Sequence, residues 1–558
     1  MTESVIGDRS YGSVTVDGSS NMFSETAYIG YRNGVIGVVD VTGASAKWPN
    51  SFRLLVGRAG SGTLNIAGGG SVSSTYTYLG AEATGSGVMN VDGAGSNFTS
   101  GRLCVGTDGT GTLNFSGGAT VTVTERTHVA ANPTPESTGV INFGVGGGTL
   151  TTKTLLASPA QITGTGTIRT RGIISDIDLV FDSADDLVRT ITLVNGSGNV
   201  ALELDLSNPE NQGWLGAGYR GNGSLTFKDG VVVHAAAGYV GTHKGSTGVV
   251  TVTGAGSMWD FRGDVLRLGR YGGNGVLNVT SGGTLKGSVV VSDSRDSNGT
   301  LTVDGIGSTL MPSSLYVGSE GNGSLSVTNG GTVIADAPNG TDISRDPDAT
   351  RIVRVDGAGS TWTNGGHINI GSFGGSGTVL ITNGGRVISQ DDTRSSSIGF
   401  REGSGVVTVD GTGSALAIGS HFNVGDSGSG TLNINHGGLV SIRGALSIGN
   451  DVAAGYGLIN MASGGMLALH GDADGSIFHF LNLADGSDAI RYWDDSAAAW
   501  DLITNATAGD DYTLQYMAEG NLAGYTVLTV TAVPEPSTIV GLLGLLLAGL
   551  FVLTRGKR

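Results

Sequence analysis

Gly62-Thr-Leu-Asn-Ile66-Ala-Gly-Gly is followed by Gly87-Val-Met-Asn-Val91-Asp-Gly and by Gly111-Thr-Leu-Asn-Phe115-Ser-Gly-Gly. The phrase returns at Leu277-Asn-Val279, Leu301-Thr-Val303, Leu325-Ser-Val327 and Leu432-Asn-Ile434. Within each copy two apolar residues flank one polar residue, the period-2 pattern of a strand with one buried face. The last apolar residues of the first four copies, Val16, Val41, Ile66 and Val91, stand 25 residues apart, and later intervals run from 24 to 28. Self-similarity at such a period is the mark of a stacked solenoid.

A second, weaker strand ending in Gly follows each phrase, as in Leu55-Val56-Gly57, Tyr239-Val240-Gly241 and Phe422-Asn-Val424-Gly425. A unit of two or three short strands cannot bury its apolar face alone. Coiling the chain so that each strand lies over its counterpart one repeat earlier buries that face. The expected fold is therefore all-β, a parallel β-helix of about 25-residue coils. A β-sandwich or barrel leaves the constant period unexplained. Two phrase types largely alternate, Val303-Asp-Gly-Ile-Gly-Ser308 and Val327-Thr-Asn-Gly-Gly-Thr-Val333, both with tight-turn dipeptides. A double coil of roughly 50 residues is the implied structural unit.

The reading divides the chain into β-helix repeats over 1–143, divergent coils or an insertion over 144–210, and further repeats over 211–470. A C-terminal β cap over 471–532 is expected, because a solenoid's last coil exposes a sheet edge and a core end. The tail, 533–558, is different in kind. Val533-Pro-Glu-Pro536 precedes the uncharged, mostly apolar run 538–554, and the chain ends Arg555-Gly-Lys-Arg558. Seventeen such residues sit at the lower limit for spanning a bilayer, so a single transmembrane helix is expected over 538–554. The cations Arg555, Lys557 and Arg558 place the C-terminus in the cytoplasm under the positive-inside tendency.

Composition narrows the function classes. The chain has 558 residues, of which 100 are Gly, far above the average of about 7%. Thirty Lys and Arg against 47 Asp and Glu leave a net charge of −17, which argues against nucleic acid as a partner. The one cysteine, Cys104, permits no internal disulfide. It aligns with Tyr316 and Asn369 and is expected to face outward, with no microenvironment that activates a thiol.

The sorting tail, Pro534-Glu-Pro536 with the short hydrophobic helix and basic end, resembles the PEP-CTERM sorting proteins of Gram-negative bacteria. The resemblance implies recognition by an exosortase, with Val533, Pro534, Glu535 and Pro536 as the sorting motif and cleavage near them. It also implies export and association with exopolysaccharide or biofilm matrix. The repeats over most of 11–470 resemble the repeat family shared by PEP-CTERM proteins and type V secretion autotransporters. That likeness implies a surface-displayed scaffold and no activity. A sorted protein must be exported, yet Met1–Ser10 has no cationic start or apolar core of a signal peptide. The true start is expected upstream.

No catalytic site, cofactor site or metal site is expected. Gly216-Ala-Gly-Tyr-Arg-Gly221 matches a dinucleotide fingerprint without the surrounding βαβ pattern. Gly425-Asp-Ser-Gly428 mimics a protease nucleophile but occupies an ordinary corner. The eight histidines lack zinc spacing, and calcium at Asp391-Asp392 or Asp510-Asp511 is the remaining metal hypothesis. The expected function is an exported, exosortase-sorted structural or adhesin-like protein at the cell surface or in the matrix. Its outward ladder (Asn65, Asn90, Asn114, Asn278, Thr302, Ser326) is available for glycan. The alternative is a polysaccharide-binding or polysaccharide-degrading β-helix enzyme, its acids drawn from Asp176, Asp178, Asp182 and Asp185.

Overall fold

The computed structural model describes residues 3–182, 187–346, 350–449, 455–485 and 487–531. The chain divides into two compact units, residues 1–337 with 348–351, and residues 338–347 with 352–558. Both are parallel β-solenoids, as the phrase spacing predicts.

In the first unit the phrase strands Ile36–Thr42, Ser61–Ala67, Ser86–Asp92, Thr110–Ser116 and Thr138–Phe143 pair in parallel and in strict register. Leu64 lies on Met89 and Leu113, and Ile66 on Val91 and Phe115. All six are buried. Each such side chain contributes roughly 1.5–3 kcal/mol of apolar burial. Where the column meets aromatics they stack, with Phe115 and Phe143 centroids 4.8 Å apart and the rings nearly parallel. A second parallel ladder runs through Asp178–Phe181, Asn222–Phe227, Thr247–Thr253, Asn274–Thr280, Asn298–Asp304 and Asn322–Thr328. In the second unit the same geometry joins Ser376–Thr382, Ser404–Asp410, Ser429–Asn435 and Tyr456–Met461.

Two glycines show how the corner between strands is built. Gly241 ends Gly238–Val240 with φ +69°, and a Cβ there would stand 1.9 Å from the Asn274 carbonyl oxygen. Gly248, in the following phrase, would place its Cβ 2.2 Å from the Ala217 oxygen and 2.5 Å from the Gly241 nitrogen. One residue needs the left-handed backbone, the other needs the absence of a side chain.

The alternation of phrase types has a hydrogen-bonding cause. Asp304 Oδ1 accepts from Thr328 Oγ1 and Asn329 Nδ2, both at 2.6 Å. In the second unit Asp356 accepts from Thr382 Oγ1 and from Asn383 Nδ2, the latter at 2.7 Å. Asp410 there faces His436 Nδ1 at 2.5 Å. The Asp-Gly corner of one coil thus receives donors from the Thr-Asn-Gly corner of the next. The Thr382 and Asn383 bonds help hold the Asp356 carboxyl below its ordinary range, Thr382 most of all, against the opposing effect of partial burial.

The rhythm changes after Phe143. Gly148–Leu156 carries two short strands, Gly166–Thr170 and Ile173–Ser175, on its successive halves. Gly198–Asp205 then pairs in parallel with Gly166–Thr170 and in antiparallel with Val188–Asn195, making a hairpin against the coil. At the other end of the chain, Met466–His470 pairs in antiparallel with Tyr525–Val530, which pairs in antiparallel with Tyr512–Met517. Ile490–Asp494 continues the phrase ladder on Tyr456–Met461 and turns back into Ala499–Leu502.

Among the described residues no helix is long and apolar enough to cross a membrane. The span expected over 538–554 lies outside the described residues.

Candidate functional site

The outward asparagines are partnered with one another. Asn65 Nδ2 donates to Asp40, Asn90 to Asn65 and Asn114 to Asn90, each at 2.7 Å, and Asn142 to Asn114 at 3.3 Å. Strict register puts each amide above its equivalent, so the ladder is an internal structural element before it is a binding surface. Asn90→Ala breaks two of these bonds and is expected to cost about 1–2 kcal/mol, measured as a lower chemical-denaturation midpoint. Asn278, Thr302 and Ser326 keep the same register on their own strands.

Cys104 stands on the outer side of its strand, as its repeat position predicts, and is half-buried there. Burial raises its thiol to about 11, so it stays protonated and unreactive. Its neighbourhood holds a buried polar knot. Tyr219 Oη donates to the carbonyls of Val129 (2.6 Å) and Ala130 (3.0 Å), some ninety positions earlier. Arg220 Nη2 donates to Ala130 and Asn132 oxygens at 2.8 and 2.9 Å. The Tyr219 ring lies edge-on to His243 at 4.8 Å and tilted against His128 at 5.7 Å. Burial depresses His243 to about 4, with the Arg220 charge adding to it. Burial, then the proximity of His243, takes His128 to about 3. The Nε2 of each ring is shielded without a hydrogen-bond partner.

Three of the carboxylates proposed for an enzyme are each engaged in local bonds. Asp176 Oδ1 caps the Tyr219 and Arg220 amides at 2.5 and 3.0 Å. Asp178 accepts from Ser224 Oγ at 2.6 Å, and Asp182 pairs with Lys228 Nζ at 3.1 Å. Asp185 lies outside the described residues. Gly216–Ala217 leads into the Gly218 corner and Tyr219, with no helix to hold a phosphate. At Gly425-Asp-Ser-Gly428, Asp426 Oδ2 accepts from Ser397 and Asn423, and the corner is structural. Asp391 Oδ1 accepts the Thr393 amide at 2.8 Å, and Asp511 Oδ2 the Thr507 amide at 2.7 Å. Among the described residues no group of three His, Cys, Asp or Glu side chains is placed to hold a metal ion.

What the sequence reading missed is a cleft. The hairpin Val188–Asn195 and Gly198–Asp205 closes one side of a cavity of about 730 Å³ on the outer face of the first unit. A smaller pocket of about 260 Å³ adjoins it through shared walls at Thr124 and Lys153. The exposed hydroxyls of Thr122, Thr124, Thr151 and Thr190 line the larger part. Six cations border the two: Arg102, Arg126, Lys153, Arg169, Arg171 and Arg189. Three carboxylates accompany them, of which Glu203 pairs with Arg169 at 2.7 Å and Glu125 with Arg102. Arg126 lies over the Trp214 ring at 4.6 Å. No periodic signal marks the cleft, because one wall comes from the outer face of regular coils (Arg102, Thr122, Thr124, Arg126) and the other from a hairpin that leaves the repeat.

Residues 532–558 match the PEP-CTERM protein-sorting motif. Such a motif marks an exported protein processed by an exosortase at the envelope of Gram-negative bacteria. The sorting residues Val533, Pro534, Glu535 and Pro536 and the basic Arg555, Lys557 and Arg558 lie outside the described residues. No curated protein matches the chain. Among solved structures, the "Crystal structure of TibC-catalyzed hyper-glycosylated TibA55-350 fragment" matches with 14% identity over 78% of this chain and all of that one. Its TM-score is 0.18, too low to carry an argument.

Proposed function

We propose that this protein is a non-catalytic β-solenoid scaffold, tethered by a helix over 538–554 with its C-terminus in the cytoplasm. An exosortase cleaves it near Pro534–Pro536 and releases it to the cell surface or extracellular matrix. There it acts as a structural or adhesin-like component among exopolysaccharide or biofilm glycans. The observation that carries the reading is the match of 532–558 to the sorting motif, on a chain whose described part is almost wholly stacked coils. The engagement of Asp176, Asp178 and Asp182 in local bonds supports a role without catalysis.

The test is replacement of both prolines, P534A with P536A, in a strain carrying an exosortase. The altered chain is expected to accumulate as a full-length membrane-bound precursor while the native chain yields a shorter released product. Release of the altered chain at the native rate and size overturns the proposal.

A further inference from the structure

From the cleft beneath the Val188–Asp205 hairpin we infer a binding site for a carboxylate-bearing polysaccharide, a deepening that rests on the matrix reading above. Four observations point to that ligand class.

The first is charge. A chain of net charge −17 gathers six cations against three carboxylates around one cleft. Two of those carboxylates are already neutralised by Arg169 and Arg102. Among the described residues Arg126 and Lys153 have no ion-pair partner, and the third carboxylate, Asp205, is held below its ordinary range mainly by Ser207, with the Arg171 charge adding to it. Such a local field attracts anions even though the surrounding surface repels them.

The second is an unmet acceptor. Gln212 is 4% exposed and lines the smaller pocket; its Nε2 donates to the Asn208 carbonyl, while its Oε1 has no partner. A buried carbonyl oxygen left bare costs roughly 1–3 kcal/mol, and Gln212 carries that unmet acceptor in the wall of the smaller pocket.

The third is the remaining lining. The exposed threonines and the half-buried Asn211 present hydroxyls and an amide at the spacing of successive strands. These groups suit sugar hydroxyls between the carboxylates that Lys153 and Arg171 would meet. Taken together, about 730 and 260 Å³ leave space for several sugar rings.

The fourth separates carbohydrate from nucleic acid, the other common polyanion. Single strands are held by bases stacking on free aromatic faces. The cleft's aromatic, Trp214, has Arg126 over its ring and Tyr239 against it edge-on at 5.2 Å. It therefore offers no open platform.

The test uses the full-length chain in mild detergent with polygalacturonate as probe, neutral dextran and a deoxythymidine homopolymer as comparators. Binding of polygalacturonate that weakens with added NaCl is expected, with dextran and the homopolymer at least tenfold weaker. The double variant K153E with R171E is expected to lose at least tenfold in affinity, and K286E, on an exposed strand elsewhere, to bind as the native chain does. In the native chain polygalacturonate is also expected to slow amide exchange across 188–205, a readout independent of whether the double variant folds. Absence of polygalacturonate binding, binding unchanged in a folded double variant, homopolymer binding of equal strength, or unchanged exchange at the hairpin each overturns the site. A chain sorted normally but without affinity refutes the cleft and leaves the sorting proposal intact. An unprocessed chain that binds does the reverse.

Discussion

Gly248→Val is expected to destroy the coil around it, with a cost beyond about 4 kcal/mol. The Ala217 oxygen at 2.2 Å and the Gly241 nitrogen at 2.5 Å from the new Cβ are both backbone atoms in the ladder. No rotamer change relieves the clash, and moving either atom breaks the 2.9 Å hydrogen bond that the Gly241 amide donates to the Ala217 carbonyl. Because coils in a solenoid contact mainly their neighbours, the damage is expected to start locally. Limited proteolysis of the variant is expected to cut within 241–275 before other coils of the first unit. Thr251→Ala, an outward position on the same strand, is expected to stay within about 0.5 kcal/mol of the native chain. Native-like protease resistance of the valine variant would show that the corner is looser than its geometry implies.

Acidification from pH 7 to 5 is expected to weaken the first unit through its buried histidines. Both are depressed in the folded chain, His243 to about 4 and His128 to about 3. Unfolded histidine titrates near 6.5. Above that pH both states are neutral and the contribution is fully present. As pH falls below about 6.5 the unfolded chain binds protons that the folded one refuses, so stability is lost through the window down to about 4 for His243 and about 3 for His128. For His243, which is 3% exposed, the full loss is on the order of 3 kcal/mol. An imidazolium there would face the Arg220 and Arg270 charges, while Nδ1 already uses its hydrogen on the Tyr219 carbonyl at 2.9 Å. The measurement is the denaturation midpoint between pH 6.5 and 5, where most carboxylates remain charged. His243→Gln keeps a donor for Tyr219 but cannot titrate, and is expected to flatten the slope. An unchanged slope in that variant would place the pH sensitivity elsewhere.

The solenoid was legible because its cause is local and repeated. Leu64, Met89 and Leu113 carry the same instruction at the same spacing, and strict register turns it into a column. The outer face was less legible for the opposite reason. Cys104 aligns with Tyr316 and Asn369, so its repeat position reads as outward. Burial raises its thiol, and Tyr219, a neighbour from far along the chain, lies within its electrostatic reach. Tyr219 meets Val129 and Ala130 across some ninety residues, a contact that no periodicity announces. The cleft escaped notice likewise. Lys153 and Arg171 look like ordinary surface cations until the hairpin sets them on one cavity.

The interlocked corners bear on how such a gene can grow or shrink. In the second unit, losing the single coil that carries Thr382 and Asn383 would bring Asp410 onto Asp356, carboxylate against carboxylate. Losing or duplicating two coils together would preserve each acid above its donors. Unequal recombination within the array is therefore filtered by electrostatics toward steps of an even number of turns.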